Sequence, residues 1–340
     1  MEGSQARFRL SRRQVVGTLS AAAIAGSTSR LLVSAQDGTP APSGEWSFTD
    51  DKGVTVTLPN APKNVLMDVN VAAPLWDFGI RPAGLFGWNV LADGTLGDAG
   101  GNIDPEGIPT AGDVNEPIRV EDAIAVEPDL IITLSWTLDD PNDYWSIDGS
   151  VLDQVKAVAP IIALSATGIA DKNTERFAEL AGLLGADLDS PELVAAKADY
   201  NEADEQFTQL AGEKSDLQVL FLAVTEETTW VANPQDWADL NMYQDRGLNI
   251  IVPDVEPGAF WQQISNEQAL LYPADMFFQS TRDEALTLEE IAAHPSWSKH
   301  PAVQAGQAFG WNQDFIQSYQ GLKAALDALS EALDASEKIL

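Results

Sequence analysis

The sequence contains no cysteine and only two histidines. The first absence removes disulfides, thiolate metal sites, iron–sulfur clusters, cysteine nucleophiles and lipid attachment through an N-terminal cysteine. The second leaves almost no material for a His-rich metal site or a Ser-His-Asp triad. Positive charge is scarce too. Against 52 Asp and Glu stand 19 Lys and Arg in 340 residues, a formal charge of −33. A surface this negative repels phosphate backbones, which argues against a nucleic-acid partner. What is abundant is apolar: 45% of the residues are hydrophobic, enough for a globular chain with room for two domains.

Residues 1–35 differ in kind from the rest. Arg7, Arg9, Arg12 and Arg13 form a basic head, a short apolar run follows from Val15 to Ala25, and Val33-Ser34-Ala35 offers the small residues of a cleavage site. The run is shorter than the ~20 residues of a membrane span. Ser11-Arg12-Arg13 resembles a twin-arginine signal, although Val15 and Val16 stand where Phe-Leu is usual; an ordinary secretory signal is the alternative. The segment holds five Arg and one Glu, so its removal takes the charge from −33 to −37. Residues 36–45 (QDGTPAPSGE) read as a flexible linker.

From Trp46 onward the pattern predicts an α/β protein. A strand pair is expected between Trp46 and Leu58, around Asp50-Asp51-Lys52-Gly53. Short apolar runs at Val65–Asp68, Gly84–Gly87, Asp129–Leu134 and Ile161–Leu164 read as buried parallel strands. A helix is expected over Asn173–Leu184. Another opens at Ser190-Pro191, an N-cap followed by Pro at N1, and runs to about Gly212 with Leu193, Tyr200, Ala203, Phe207 and Leu210 on one face. A second set of strands is expected at Leu217–Val224, Ile250–Val252, Met276–Ser280 and Ala308–Trp311, before a closing helix carrying Leu322, Leu326, Leu329 and Leu333. The organisation is two Rossmann-like α/β lobes joined by one long helix with a ligand cleft between them. The N-terminal lobe is 46–189, the linker helix 190–213 and the C-terminal lobe 214–340.

An internal repeat supports two lobes of one plan. VEDAIAVEPDLIITLSW (Val120–Trp136) aligns without gaps on NEQALLYPADMFFQSTR (Asn266–Arg282). In each, a Glu opens a short helix, a Pro breaks it, and an Asp eight residues after the Glu starts an apolar strand.

These pieces, with FTDDKGVTVTLPNAPKNVL (Phe48–Leu66), LDQVKAVAPIIAL (Leu152–Leu164) and HPSWSKHPAVQAGQAFGW (His294–Trp311), make the chain similar to the solute-binding proteins of bacterial iron–siderophore, haem and cobalamin ABC importers. The resemblance covers nearly all of the chain after the leader. It implies an exported receptor of the periplasm or cell envelope, a monomer that captures a small-molecule iron chelate and hands it to an ABC permease. It also implies that Glu121 and Glu267 dock on arginines of that permease. Ser265 and Gln268 read as a capping box for the second helix start, whereas Arg119 occupies the position where the family has Ser or Asn.

In open α/β sheets ligands bind beyond the carboxyl ends of the strands. That places Trp88, Trp136, Tyr144 and Trp145 of lobe one, and Trp230, Trp261, Arg282 and Trp311 of lobe two, as candidate ligand contacts. Flat side chains suit an apolar or conjugated ligand, and Arg282 suits an anionic group or an oxygen face unless a neighbouring carboxylate takes it. Tyr243 and Arg246 are expected at the border of the cleft, and Trp46, Trp76, Trp237 and Trp297 in packing. His294 and His300 share one segment with a surface-like pattern and no metal-ligand spacing, so no protein-held metal and no cofactor are expected. A ferric siderophore brings its own chelation; cobalamin and haem are the alternatives within the fold. A secreted enzyme or a signalling domain is the alternative of another class, but no G-x-S-x-G, phosphate loop or metalloprotease motif occurs, and no catalytic residue is assigned.

Overall fold

The computed structural model describes residues 44–282 and 284–340. The expected leader and most of the linker lie outside the described residues. β1 (Trp46–Thr49) and β2 (Thr55–Leu58) pair antiparallel with Trp46 opposite Leu58. Asp50 closes their turn by accepting the N–H groups of Lys52 (3.0 Å) and Val54 (2.8 Å), with Gly53 at φ 77°. Its second oxygen accepts Ala163 N–H at 3.1 Å and pins the hairpin to the next sheet.

That sheet is β3 (Val65–Asp68), β4 (Gly84–Phe86), β5 (Leu130–Ser135) and β6 (Ile161–Ser165), all parallel in the order β4-β3-β5-β6. Every residue of β3, β4 and β5 is buried, because helices cover both faces. These are α1 (Val69–Asp77), α2 (Val120–Ala125), α3 (Leu152–Val158) and α4 (Ala170–Leu183). The linker helix α5 (Pro191–Glu213) starts where Ser190 Oγ accepts Leu193 N–H at 3.3 Å.

Lobe two holds β7 (Val219–Val224), β8 (Thr229–Ala232), α6 (Ala238–Asp245), β9 (Trp261–Ile264), β10 (Met276–Ser280), α7 (Leu288–Ala293), α8 (Pro301–Ala305), β11 (Ala308–Trp311) and α9 (Tyr319–Asp334). Its sheet runs β11-β10-β7-β8-β9, with β7, β10 and β11 parallel and β8 and β9 antiparallel additions. The two antiparallel strands escape a reading based on apolar runs, being four residues each with Thr and Gln among them. Ile250–Val252, expected as a strand, makes a single bridge to Val219 and is otherwise irregular. β8 occupies the Leu222–Val224 half of that edge, and Pro253 follows without an N–H to extend the ladder.

The repeat has a structural basis. Ala123 and Ala269, equivalent in the alignment, are both buried. Asp129 accepts the N–H groups of Lys63 and Asn64 ahead of β3, at 2.8 and 3.0 Å, and Asp275 accepts Gln218 N–H ahead of β7 at 2.8 Å. Each Asp thus ties the start of its own strand to the start of the neighbouring parallel strand. The helix expected after Ser265 is instead a 3-10 turn, Asn266–Gln268, in which Ser265 N–H donates to Gln268 Oε1 at 3.1 Å.

One apolar cluster runs from Met67 and Leu75 of lobe one through Phe207 of α5 to Phe221 and Trp311 of lobe two. Tyr200 of α5 stacks on Tyr319 of α9 with centroids 6.0 Å apart. Polar contacts add to this join. The half-buried guanidinium of Arg246, just after α6, meets Asp171 of α4 at 3.0 Å and Asp204 of α5 at 2.9 Å. Asn241 Nδ2 donates to Gly168 O at 2.9 Å, and Ser318 Oγ to Asp77 Oδ2 at 2.5 Å.

Candidate ligand cleft

The loop after β5 is folded on the carboxylate of Asp143. One oxygen accepts Ser135 Oγ–H (3.0 Å), Trp136 N–H (2.7 Å) and Thr137 N–H (2.5 Å). Lys52 Nζ donates to Asp140 O at 2.5 Å and Asp143 O at 3.2 Å from the other side. Trp136 is therefore held at the carboxyl end of a buried strand by a loop with little freedom. Its ring lies edge-on to Trp145 (5.7 Å between centroids) and, across the lobes, to Trp237 (5.8 Å) and Phe260 (5.5 Å).

Lobe two supplies the rest of this cluster. Trp237 packs edge-on against Trp261 at 4.9 Å and Trp311 at 5.5 Å, and its indole N–H donates to Phe260 O at 3.1 Å. Phe260 sits at φ 59°, an uncommon conformation for a residue with a side chain. The indole N–H of Trp311 donates to Asp239 Oδ2 at 2.7 Å. Burial pushes the Asp239 carboxyl up to about 6, and the Trp311 N–H opposes that rise. Arg282 holds Asp314 in a two-point pair, Nε to Oδ2 at 2.9 Å and Nη2 to Oδ1 at 2.7 Å. The partner carboxylate foreseen as a competitor for Arg282 is thus in place, and it lies 15% exposed.

The structure brings together Trp136, Trp145, Trp261 and Trp311 of the sequence-derived candidates. Trp237, expected in packing alone, is the ring that joins them. Tyr144 is turned into the lobe-one core between Lys52 and Lys156, whose ammonium groups lie 5.1 and 5.0 Å from its ring. Trp88 is exposed on the loop after β4, and Trp230 is half-buried on β8. Tyr243 is fully buried against Phe207 and Phe221. A cavity of about 410 Å³ beyond the end of β6 went unread in the sequence; Asp51, Ser165, Thr167, Lys172 and Arg176 are among its lining residues. The i,i+4 spacing of Lys172 and Arg176 beside a helix start was its available signal.

His300 corrects the surface reading of its segment. It is fully buried, with Nδ1 accepting Ala302 N–H at 3.3 Å and Nε2 within 3.1 Å of Tyr272 O, and burial keeps its pKa below the ordinary value. His294 caps Ser296 and Trp297 through Nδ1. Among the described residues no group of three His, Cys, Asp or Glu is placed to hold a metal ion.

No family model matches the chain, and no curated protein matches it. Solved structures do. DesE, a ferric-siderophore receptor protein from Streptomyces coelicolor, is 28% identical, with a TM-score of 0.80 over 87% of this chain and 100% of that one. The chain has the fold of the ferric-siderophore binding proteins. Two further members of that fold are the petrobactin-binding protein YclQ from Bacillus subtilis and SirA from Staphylococcus aureus, complexed with staphyloferrin B. YclQ is 15% identical, TM-score 0.64, covering 85% of this chain and 99% of its own. SirA is 19% identical, TM-score 0.61, covering 86% and 99%.

Glu121, in the first turn of α2, and Glu267, in the 3-10 turn, are both exposed. Arg119 is taken up by Asp113 (2.8 Å) and Asp122 (2.5 Å), and among the described residues neither Glu has a basic side chain in ion-pair contact. No helix among the described residues is long and apolar enough to cross a membrane.

Proposed function

We propose that the chain is the extracytoplasmic receptor of an ABC importer, which captures a ferric siderophore and delivers it to a membrane permease. The observation that carries this reading is the aromatic cluster joining the lobes, built from Trp136 and Trp145 on one side and Trp237, Trp261 and Trp311 on the other. Trp136 directly follows β5 and Trp311 ends β11, at the carboxyl ends of parallel strands, where such sheets bind ligands. Flat rigid rings cover a bulky chelate at low entropic cost, and a ligand that encloses its own iron needs no metal-ligating side chains. The 28% identity to a ferric-siderophore receptor over that protein's whole length supports the ligand class. Glu121 and Glu267 are the permease contacts, exposed carboxylates at equivalent places in the two lobes that suit a basic partner.

Tryptophan fluorescence tests the reading. Titration with a panel of ferric hydroxamate, catecholate and carboxylate siderophores is expected to show saturable quenching by at least one. Quenching by cobinamide or haem alone would move the ligand class and keep the receptor. Binding of none would sink the proposal.

A further inference from the structure

We infer that the permease-docking surface has an apolar anchor in each lobe, Ile124 beside Glu121 and Leu270 beside Glu267. The inference rests on the docking role proposed for the two carboxylates and adds what holds the complex once charge has guided it. Ile124 is 55% exposed and Leu270 is 54% exposed. A single exposed aliphatic is ordinary on a protein surface. Here the two occupy the same position of the internal repeat, three residues after the equivalent Glu, with buried Ala123 and Ala269 just before them.

Each pair flanks a buried alanine. Residues three apart are neighbours on a helical turn, and burial of Ala123 turns Glu121 and Ile124 outward on α2. In lobe two, buried Ala269 stands between exposed Glu267 of the 3-10 turn and exposed Leu270 of the turn that follows it. Leu271, 48% exposed, extends the lobe-two patch, where Ala125 stands in lobe one.

The occupant is a basic membrane protein face with apolar sockets. Glu121 and Glu267 are exposed and have no basic side chain in ion-pair contact among the described residues, so the face that meets them is basic. Ion pairs at a rim set encounter rate and register more than affinity, and burial of an aliphatic side chain supplies the holding contact.

The cysteine-free sequence permits a clean test. The full chain is made as Ile124→Cys, Leu270→Cys, Glu121→Cys, Glu267→Cys and, as control, Val194→Cys on the linker helix, where Val194 is 54% exposed. Each is labelled with a photoreactive maleimide, added to membranes of the source cell and irradiated; adducts are identified by peptide mass. Ile124→Cys and Leu270→Cys are expected to crosslink to an ABC permease subunit about tenfold above the control. If the Glu positions crosslink and the aliphatic ones stay at the control level, the anchors fall and the docking role of the carboxylates stands. If all four stay at the control level, both fall. Crosslinking to a second copy of the chain would also overturn the inference. A second measurement is uptake: Ile124→Ser with Leu270→Ser is expected to lower it about tenfold, about 1.4 kcal/mol of docking, with ligand affinity by fluorescence unchanged. Unaltered uptake would count against it.

Discussion

Trp136 of lobe one meets Trp237 of lobe two edge-on, with ring centroids 5.8 Å apart. The pair joins the lobes between the end of β5 and the start of α6, so it serves both packing and the proposed ligand surface. Trp136→Ala is expected to weaken siderophore binding at least about tenfold by quenching of the remaining tryptophans. Trp76→Ala, where the ring lies under Arg81 at 3.7 Å, is the control and should leave affinity alone. Equal affinities in the two variants would reduce Trp136 to a packing residue.

Arg246 is the polar tie between the lobes and the linker. Its guanidinium is 12% exposed and neutralises Asp171 and Asp204 on two different helices. Arg246→Ala leaves Asp204 without its cation and Asp171 with only the exposed Lys172 ammonium at 3.8 Å, and is expected to cost about 3 kcal/mol in chemical denaturation. Arg246→Lys should recover part of this, because one ammonium cannot span both acids as the planar fork does. A loss too small to measure would show that the surrounding apolar cluster carries the junction alone.

Asp68, at the end of β3, gives a pH signature. Burial pushes its carboxyl up to about 7, against the Ser146 hydroxyl at 2.5 Å and the Asn70 N–H at 2.9 Å that favour the charged form. The unfolded chain loses this proton near about pH 4. The contribution is therefore fully present below about pH 4 and is lost as pH rises through about 7. Asp68→Asn is expected to gain on the wild type as pH goes from about 5 to about 8, by about 3 kcal/mol at most, read by urea denaturation at both pH values. A constant difference would mean that Asp68 stays charged in the fold. Gly87 belongs to the same nest: at φ 115°, a Cβ there would lie 2.3 Å from Asp68 Oδ2, so Gly87→Ala is expected to destabilise at every pH.

Asp275 and its repeat mate Asp129 make a matched comparison. Asp275 is buried, which opposes ionisation, yet the N–H groups of Gln218, Ile339 and Leu340 and the Lys338 ammonium hold its carboxyl below the ordinary range. Its contribution is present above about pH 4 and is lost as pH falls through the lowered value. Asp275→Ala removes the buried acceptor of three backbone N–H groups and of the Lys338 ammonium, and is expected to cost about 2 kcal/mol. Asp129→Ala, at an exposed site with two donors, should cost about 1 kcal/mol. Thermal melts of the two variants settle the order.

Much of the fold is legible in local sequence because local patterns carry it. The buried runs at Val65, Leu130, Ile161, Val219 and Met276 are short and nearly all apolar, and Ser190-Pro191 marks the linker helix by its capping chemistry. β8 and β9 are not legible, since their Thr, Gln and Trp residues take strand conformation only through pairing, β8 with β7 and β9 with β8. The ring of Trp136 could be placed at a strand end, but not its neighbours. Tyr144 lies eight residues later in the same loop and points into the core instead, drawn there between two lysine ammonium groups.

The order of the parallel strands and of the linker and closing helices, the two-lobe plan, the repeat that aligns Glu121 with Glu267, and the acidic, cysteine-free composition were determined by the sequence by itself. Only the tertiary structure decided that Trp237 is the hub of the interlobe cluster, that Arg282 is committed to Asp314, that His300 is buried, and that Ile124 and Leu270 stay in solvent. Periodicity and capping act within about one turn of chain and can be read in order. Which face of a loop is covered depends on residues a hundred positions away, as Trp136 and Trp237 are, and the folded contacts alone set that.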